Sequence, residues 1–234
     1  MAHLAIAERE GVAVLTADRP PANAMNLELL DELVEAIEGV AADPPPALVL
    51  AGRPGFFSAG LDLKAVPGYG PAEQRRLVDG INRMALGAYA LPCPVVCAIT
   101  GHAIAGGFVL AVCGDHRVAS TEGRYGLTEV KVGVPYPQAA IGVVRAELPA
   151  PAARVLALGN RLVDAAECLR LGAFDETVAP DAVLGRALEV ARELATMPAE
   201  VYARTKGELR GATLATLRIN AERDPLLDAW VGAS

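Results

Sequence analysis

Aromatic residues are scarce: Phe, Trp and Tyr together make up 4% of the 234 residues. Stacking platforms for nucleic acid are therefore few. The net charge of -7 also removes the attraction that nucleic acid or an anionic membrane would exert. Neither fact bears on a phosphate-bearing small molecule, which needs only a local site. No Cys-x-x-Cys pair occurs and the three histidines (His3, His102, His116) are scattered, so no metal-ligand pattern is present. Of the four cysteines, three lie in apolar runs. Cys93, Cys97, Cys113 and Cys168 all read as reduced, buried thiols of a cytoplasmic protein. The start, MAHLAIAERE, lacks a basic region followed by a long apolar run, so no signal peptide is expected. The apolar run 97–113 is broken by a His and several Gly and is short for a membrane span. No internal repeat, low-complexity tract or linker is evident.

Hydrophobic residues, by contrast, reach 53%, mostly Ala, Val and Leu, ample for one large core. Leu4–Glu8 and Val12–Ala17 flank Glu10-Gly11, a hairpin signal. After the loop ADRPPANAMN, Asn26 is a candidate N-cap, with Glu28 in the first turn. Leu30, Leu33, Val34 and Ile37 then fall on one helical face. Pro44-Pro45-Pro46 ends that helix, and 47–51 reads as a short buried strand. GRPGFFSAGLDLK reads as a turn-rich loop, followed by a helix over 72–91. Short helices are expected at 138–148, 152–158 and 165–171, and a strand at 175–178. From Asp181 the pattern is almost wholly helical, with Lys206, Arg210 and Arg218 among apolar residues. Such a tail has to bury its apolar face, either on its own core or, as the natural place, on a partner subunit. Strands alternating with helices predict an α/β fold with parallel pairing. The expected division is a core over 1–180 carrying the site and a helical oligomerisation region over 181–234.

The chain is organised around PVVCAITGHAIAGGFVLAVCGDHRVASTEGRYGLTE, which begins at Pro94. It reads as a buried strand (Val95–Ile99), a glycine turn, a short apolar helix, a second strand (Arg117–Ala119) and a loop ending on Glu129. Gly101, Gly106 and Gly107 let backbone approach a ligand, and a helix starting there aims free N–H groups at it. SAGLDLK supplies a second such turn, where Gly60 leaves the Leu61 N–H free. Two separate backbone donors can hold an enolate or tetrahedral oxygen. Glu129 stands among apolar neighbours, where desolvation raises a carboxyl pKa toward that of a base working near neutrality. The alternative is an exposed loop carboxylate, and Glu122 is a competitor in what reads as an exposed turn. GHAIAGG lacks the Lys-Ser/Thr of a phosphate loop, and GFFSAG is off by one from a nucleophile elbow. His102 reads as a packing or backbone-bonding residue rather than a partner of Ser58.

RPPANAMNLELLDEL, FFSAGLDLK, PCPVVCAITGHAIAGGFVLAVCGDHRVAS and LTEVKVGVP, in this order, resemble the crotonase superfamily, the enoyl-CoA hydratase/isomerase fold. The likeness spans nearly the whole chain. It implies a spiral of ββα turns, a C-terminal α-helical region that assembles trimers or hexamers, and an acyl-CoA thioester as ligand. Coenzyme A would be part of the substrate, with no separate cofactor and no metal. The resemblance puts the thioester oxygen between the N–H groups of Leu61 and Gly106. It lays the adenine along Ala59, Gly60, Asp62 and Leu63, the pantetheine along Ala22 to Ala24, and the acyl group near Gly107 and Val109. Hydratases of this family carry one Glu three residues after the oxyanion glycine and another in the later segment. Here the first position is Val109 and only Glu129 remains. One shuttling carboxylate suits double-bond migration better than hydration. The pattern is thus most similar to the Δ3,Δ2-enoyl-CoA isomerase branch. Hydratase-like or other thioester chemistry is the alternative, and a catalytically weak acyl-CoA-binding or assembly subunit is the alternative from another class.

Overall fold

The computed structural model describes residues 3–228. The hairpin β1 (Leu4–Arg9) and β2 (Val12–Ala17) turns at Glu10-Gly11, both at positive φ. Helix α1 (Leu27–Ala42) starts where its cap residue predicts: Asn26 Oδ1 accepts the Leu29 N–H at 3.0 Å. Its periodic face, Leu30, Leu33, Val34 and Ile37, is buried. Three similar units follow. The first is β3 (Leu48–Ala51), β4 (Gly55–Ser58) and α2 (Pro71–Ala90). The second is β5 (Val95–Ile99), β6 (Gly101–Ile104) and α3 (Gly106–Val112). The third is β7 (His116–Ser120), β8 (Tyr125–Gly126) and the single turn α4 (Glu129–Val132).

Each ββα unit gives one strand to each of two sheets, which makes the chain a spiral. The main sheet runs β1-β2-β3-β5-β7-β9, with β9 at Glu176–Val178, and is parallel except for the first hairpin. The smaller sheet, β4-β6-β8, is wholly parallel. Sequence reading overlooks this second sheet. It takes GFFS as loop, GHAI as part of a glycine turn, and YG as loop. These strands are two to four residues long and carry glycine, so no alternation marks them. Two smaller differences appear further on. Glu129 opens a helical turn rather than ending a loop. The helix expected over 152–158 is instead α6 (Ala150–Ala153) running into a π-helical turn, Arg154–Leu158. Helices α5 (Gln138–Glu147) and α7 (Ala165–Arg170) lie close to expectation.

The helical tail packs on its own core to a greater extent than the pattern suggested. Helix α8 (Val183–Ala195) buries Val183, Ala187, Leu188, Val190 and Ala191 in a cluster with Val49, Val96 and Val118 of the main sheet. Helix α9 (Ala199–Glu222) crosses α2 and α5, burying Leu214 and Leu217. Its two buried cations explain why Lys206 and Arg210 interrupt an apolar pattern, whereas Arg218 is exposed. Lys206 Nζ lies 2.7 Å from Asp115 Oδ2 and donates to the Cys93 carbonyl at 3.0 Å. Arg210 pairs with Asp115 Oδ1 at 3.0 Å and stacks over the Tyr89 ring at 4.1 Å. What α9 leaves exposed is Val201, Leu209 and Ile219. Among the described residues no helix is long and apolar enough to cross a membrane, and no group of His, Cys, Asp and Glu could hold a metal ion.

Asp115 therefore ties the tail to the core, answering two buried cations and accepting the Val95 N–H at 2.8 Å. Removing its charge strands Lys206 in a dry setting and leaves Arg210 with Glu147 alone, 3.6 Å away. Asp115→Asn is expected to cost about 3–5 kcal/mol, the usual loss on breaking a buried pair from one side. Lys206→Met, which takes a cation away without orphaning Asp115 from Arg210, should cost less. Urea unfolding of the two variants checks the order, and the reverse order would contradict it.

Candidate active site

The three strands of the small sheet run the same way, so their carboxyl ends lie side by side. Beyond β4 comes Leu61, at the start of α3 beyond β6 is Gly106, and beyond β8 is Glu129. These are the three residues singled out from the sequence as two donors and a base. Ligands commonly bind outside the carboxyl ends of parallel strands. The first two ends touch. Gly60 has φ +79, and a Cβ there would lie 2.7 Å from the Ala105 Cβ and 2.8 Å from the Ile104 carbonyl. A Cβ on Gly107 would meet the Ser58 carbonyl at 2.5 Å. Glycine at both positions is what brings the two turns together. Ala105 is held at φ +53, ψ -127, an unusual backbone for alanine. Among the described residues, the N–H groups of Leu61 and Gly106 have no hydrogen-bond acceptor.

A loop from the end of β2 closes over this edge. The Ala59 N–H donates to the Ala22 carbonyl at 3.0 Å, Met25 N–H to Gly60 O at 2.7 Å, and Asp62 N–H to Met25 O at 2.9 Å. Ala22 and Ala24 thus lie beside Ala59 to Asp62, and Arg19 Nη1 donates to the Ala24 carbonyl at 2.8 Å. The residue that holds the loop is one the sequence reading left unassigned, Asn23. It is fully buried at φ +48. Its Oδ1 accepts the Arg19 N–H at 2.7 Å, and its Nδ2 donates to the carbonyls of Ala17 and Phe57 at 2.9 and 3.1 Å. Its carbonyl accepts the Ser58 hydroxyl at 2.7 Å, and Ser58 Oγ accepts the Gly60 N–H at 3.1 Å. Asparagine tolerates the left-handed region. An Asn after Pro-Pro-Ala was the available signal.

Asp62 lies in an ion pair, 3.0 Å from Arg19, and accepts the Lys64 N–H at 3.1 Å. Burial works to raise its pKa, but the Lys64 N–H and the Arg19 guanidinium outweigh it and hold the carboxyl below its usual range. That makes it a poor proton donor. Leu63 is exposed. Val109 is buried within α3 as part of the core. Glu122 is exposed, as expected of its turn. His102 stacks on Phe56 at 4.8 Å and its Nδ1 accepts the Arg124 N–H at 3.0 Å, so it packs and bonds backbone.

Glu129 is the buried carboxylate of this region, 7% exposed, which removes the exposed-loop alternative. Burial pushes its pKa up, and the nearby Tyr136 phenol offsets this only in part. The two stand short of hydrogen-bond geometry, since Glu129 Oε2 and Tyr136 Oη are both buried atoms without a partner. Buried unpartnered polar atoms are rare and costly.

A spiral of ββα units with a helical C-terminal tail is the crotonase fold. The sequence profile of the enoyl-CoA hydratase/isomerase family matches residues 7–224, and the chain belongs to that family. "Probable enoyl-CoA hydratase EchA17" of Mycobacterium tuberculosis is 35% identical over 199 residues, covering 84% of this chain and 76% of its own. "Enoyl-CoA delta isomerase 1, mitochondrial" of Homo sapiens is 32% identical over 225 residues, covering 92% and 72%. The crystal structure of the probable enoyl-CoA hydratase EchA3 from Mycobacterium tuberculosis matches with TM-score 0.88 and 31% identity over 94% of each chain. The names of these relatives divide between hydratase and isomerase.

The raised pKa of Glu129 has a consequence for stability. The unfolded value is about 4.3. Between that and the higher folded value, the native chain holds more protons than the unfolded one. Stability therefore falls as pH rises through this window, and the penalty is complete above the folded pKa. Glu129→Gln removes the charge, so it should melt higher than the parent at neutral pH. That gain should vanish below about pH 4. Thermal melts across this range check the sign. A lower melting point at neutral pH, or a gain of the same size at every pH, would contradict it.

Proposed function

We propose that the protein moves the double bond of a 3-enoyl-CoA to the 2-position with Glu129 as its single base. The observation that carries this reading is the combination at three adjacent strand ends. Two free backbone donors stand beside one buried carboxylate, and position 109, where a hydratase would hold a second carboxylate, is valine. Glu129 takes the proton from C2, and the electron pair spreads through the dienolate onto the thioester oxygen. The Leu61 and Gly106 N–H groups hold that oxygen. The protonated Glu129 then gives the proton back at C4. One group serves both steps, so no second acid is needed. A pKa pushed up by burial suits a group that has to bind and release a proton near neutrality. Coenzyme A enters as part of the substrate, along Ala22 to Ala24 and Ala59 to Leu63, and no separate cofactor takes part. The setting is the cytoplasm.

A hydratase reading is favoured by the names of several relatives. It needs a second acid, and here Asp62 is tied to Arg19 and Glu122 is exposed. The binding-subunit reading leaves the cost of burying Glu129 unexplained. Assays of migration with 3-enoyl-CoA and of hydration with 2-enoyl-CoA separate the three. The parent should migrate the bond without hydrating. In Glu129→Gln, migration should fall about 10²–10⁴-fold, the usual share of acid–base catalysis, with acyl-CoA affinity little changed. Robust hydration by the parent, or undiminished migration in the variant, would contradict the reading.

The exposed Val201, Leu209 and Ile219 on α9 further support a homo-oligomer, a trimer or dimer of trimers, built on the C-terminal helices. Light scattering at micromolar concentration should give that mass, and a monomer would count against it.

A further inference from the structure

We propose that Asn160 is a positioning residue for Glu129, its side-chain amide clamping both ends of the turn that carries the carboxylate. This rests on Glu129 acting as the base. The Tyr136 phenol lies near Glu129, but Oε2 has no partner in hydrogen-bond geometry to fix it. Its placement must come from the backbone. Yet α4 is one turn long, too short to hold its own shape. A support from outside is therefore required, and residues 159–163 supply it. Val163 and Tyr125 exchange two backbone hydrogen bonds, at 3.0 and 2.9 Å, on the strand leading to Glu129. The π-helical turn before it is closed by the Gly159 N–H donating to Arg154 O at 2.7 Å. Between these two fixed points Asn160 sits at φ +53.

In the orientation that satisfies both ends of its amide, Asn160 donates to the Leu127 carbonyl at 3.2 Å and accepts the Lys131 N–H. Leu127 lies two residues before Glu129 and Lys131 two residues after it. The Lys131 N–H otherwise has only the Thr128 carbonyl, at 3.1 Å, within the same turn. The role demands a short side chain with one donor and one acceptor, on a residue that tolerates the left-handed region. Asparagine meets all three conditions. A supporting group that fixes a reacting one to within a fraction of an ångström affects rate more than affinity.

The test is Asn160→Gly, which keeps the left-handed backbone accessible and removes only the clamp. Turnover of 3-enoyl-CoA should fall about 10–10²-fold with KM within about twofold. The acid limb of the kcat–pH profile should move to lower pH as water reaches Glu129. Amide exchange over 127–132 should accelerate, read by mass spectrometry on the folded protein without any substrate. Asn160→Asp, which keeps the acceptor and loses the donor, should lie between the two. Unchanged exchange together with unchanged kcat in folded Asn160→Gly would overturn the proposal, as would a rise in KM alone. Full turnover in Glu129→Gln would overturn the base assignment, and with it this role. The exchange data tell that failure apart, because they report on the clamp directly.

Discussion

No side chain fits between the end of β4 and the end of β6. Gly60 and Gly107 face backbone closer than any Cβ tolerates, and from that contact the site's geometry follows. It brings two turns, distant in sequence, to one edge. It forces Ala105 into a conformation alanine rarely adopts, and this starts α3 with its first N–H groups unclaimed. The loop 22–25 then adds its own backbone to Ala59, Gly60 and Asp62 and buries Asn23 beneath them. The smaller sheet is thus less a stabilising element than a frame. Each of its strands is very short, and each is followed within three residues by one of Leu61, Gly106 and Glu129.

The same edge is where stability is given up. Glu129 and Tyr136 each bury an oxygen with nothing to bond. Burying a polar group unpaired costs roughly 1–3 kcal/mol by protein mutational data. The molecule offsets such costs far from the site. One large apolar core lies beneath α1, α2 and α3, and a second lies between the main sheet and α8. The buried cations of α9, Lys206 and Arg210, are answered by Asp115, Glu147 and backbone carbonyls. Two of the buried unpartnered polar atoms lie at this edge and a third, Arg117 Nε, lies in the Glu147 network beside the tail.

Much of this was legible in the residues. Leu30, Leu33, Val34 and Ile37 announce a helix face through their spacing, and Asn26 announces its start, because both signals are local. The free N–H groups of Leu61 and Gly106 and the burial of Glu129 were legible too, since glycine turns and a lone carboxylate among apolar residues are local signals. The small sheet was not. GFFS, GHAI and YG become strands only because they pair with one another across long stretches of chain. Asn23 and Asn160 were missed for the same reason. Their hydrogen bonds reach Phe57 and Leu127, and nothing near them in sequence points there. The tail misled in degree: half-apolar helices suggested a partner, yet α8 is covered by the chain's own sheet.

The central claim is that one buried carboxylate carries the proton from C2 to C4. Following a deuterium label tests it directly. With 3-enoyl-CoA deuterated at C2, a single base shielded from bulk water should deliver part of the label to C4 of the 2-enoyl-CoA product. Glu129→Gln should abolish that transfer. Product in ordinary water with no label at C4, or accumulation of a 3-hydroxyacyl-CoA, would contradict the account.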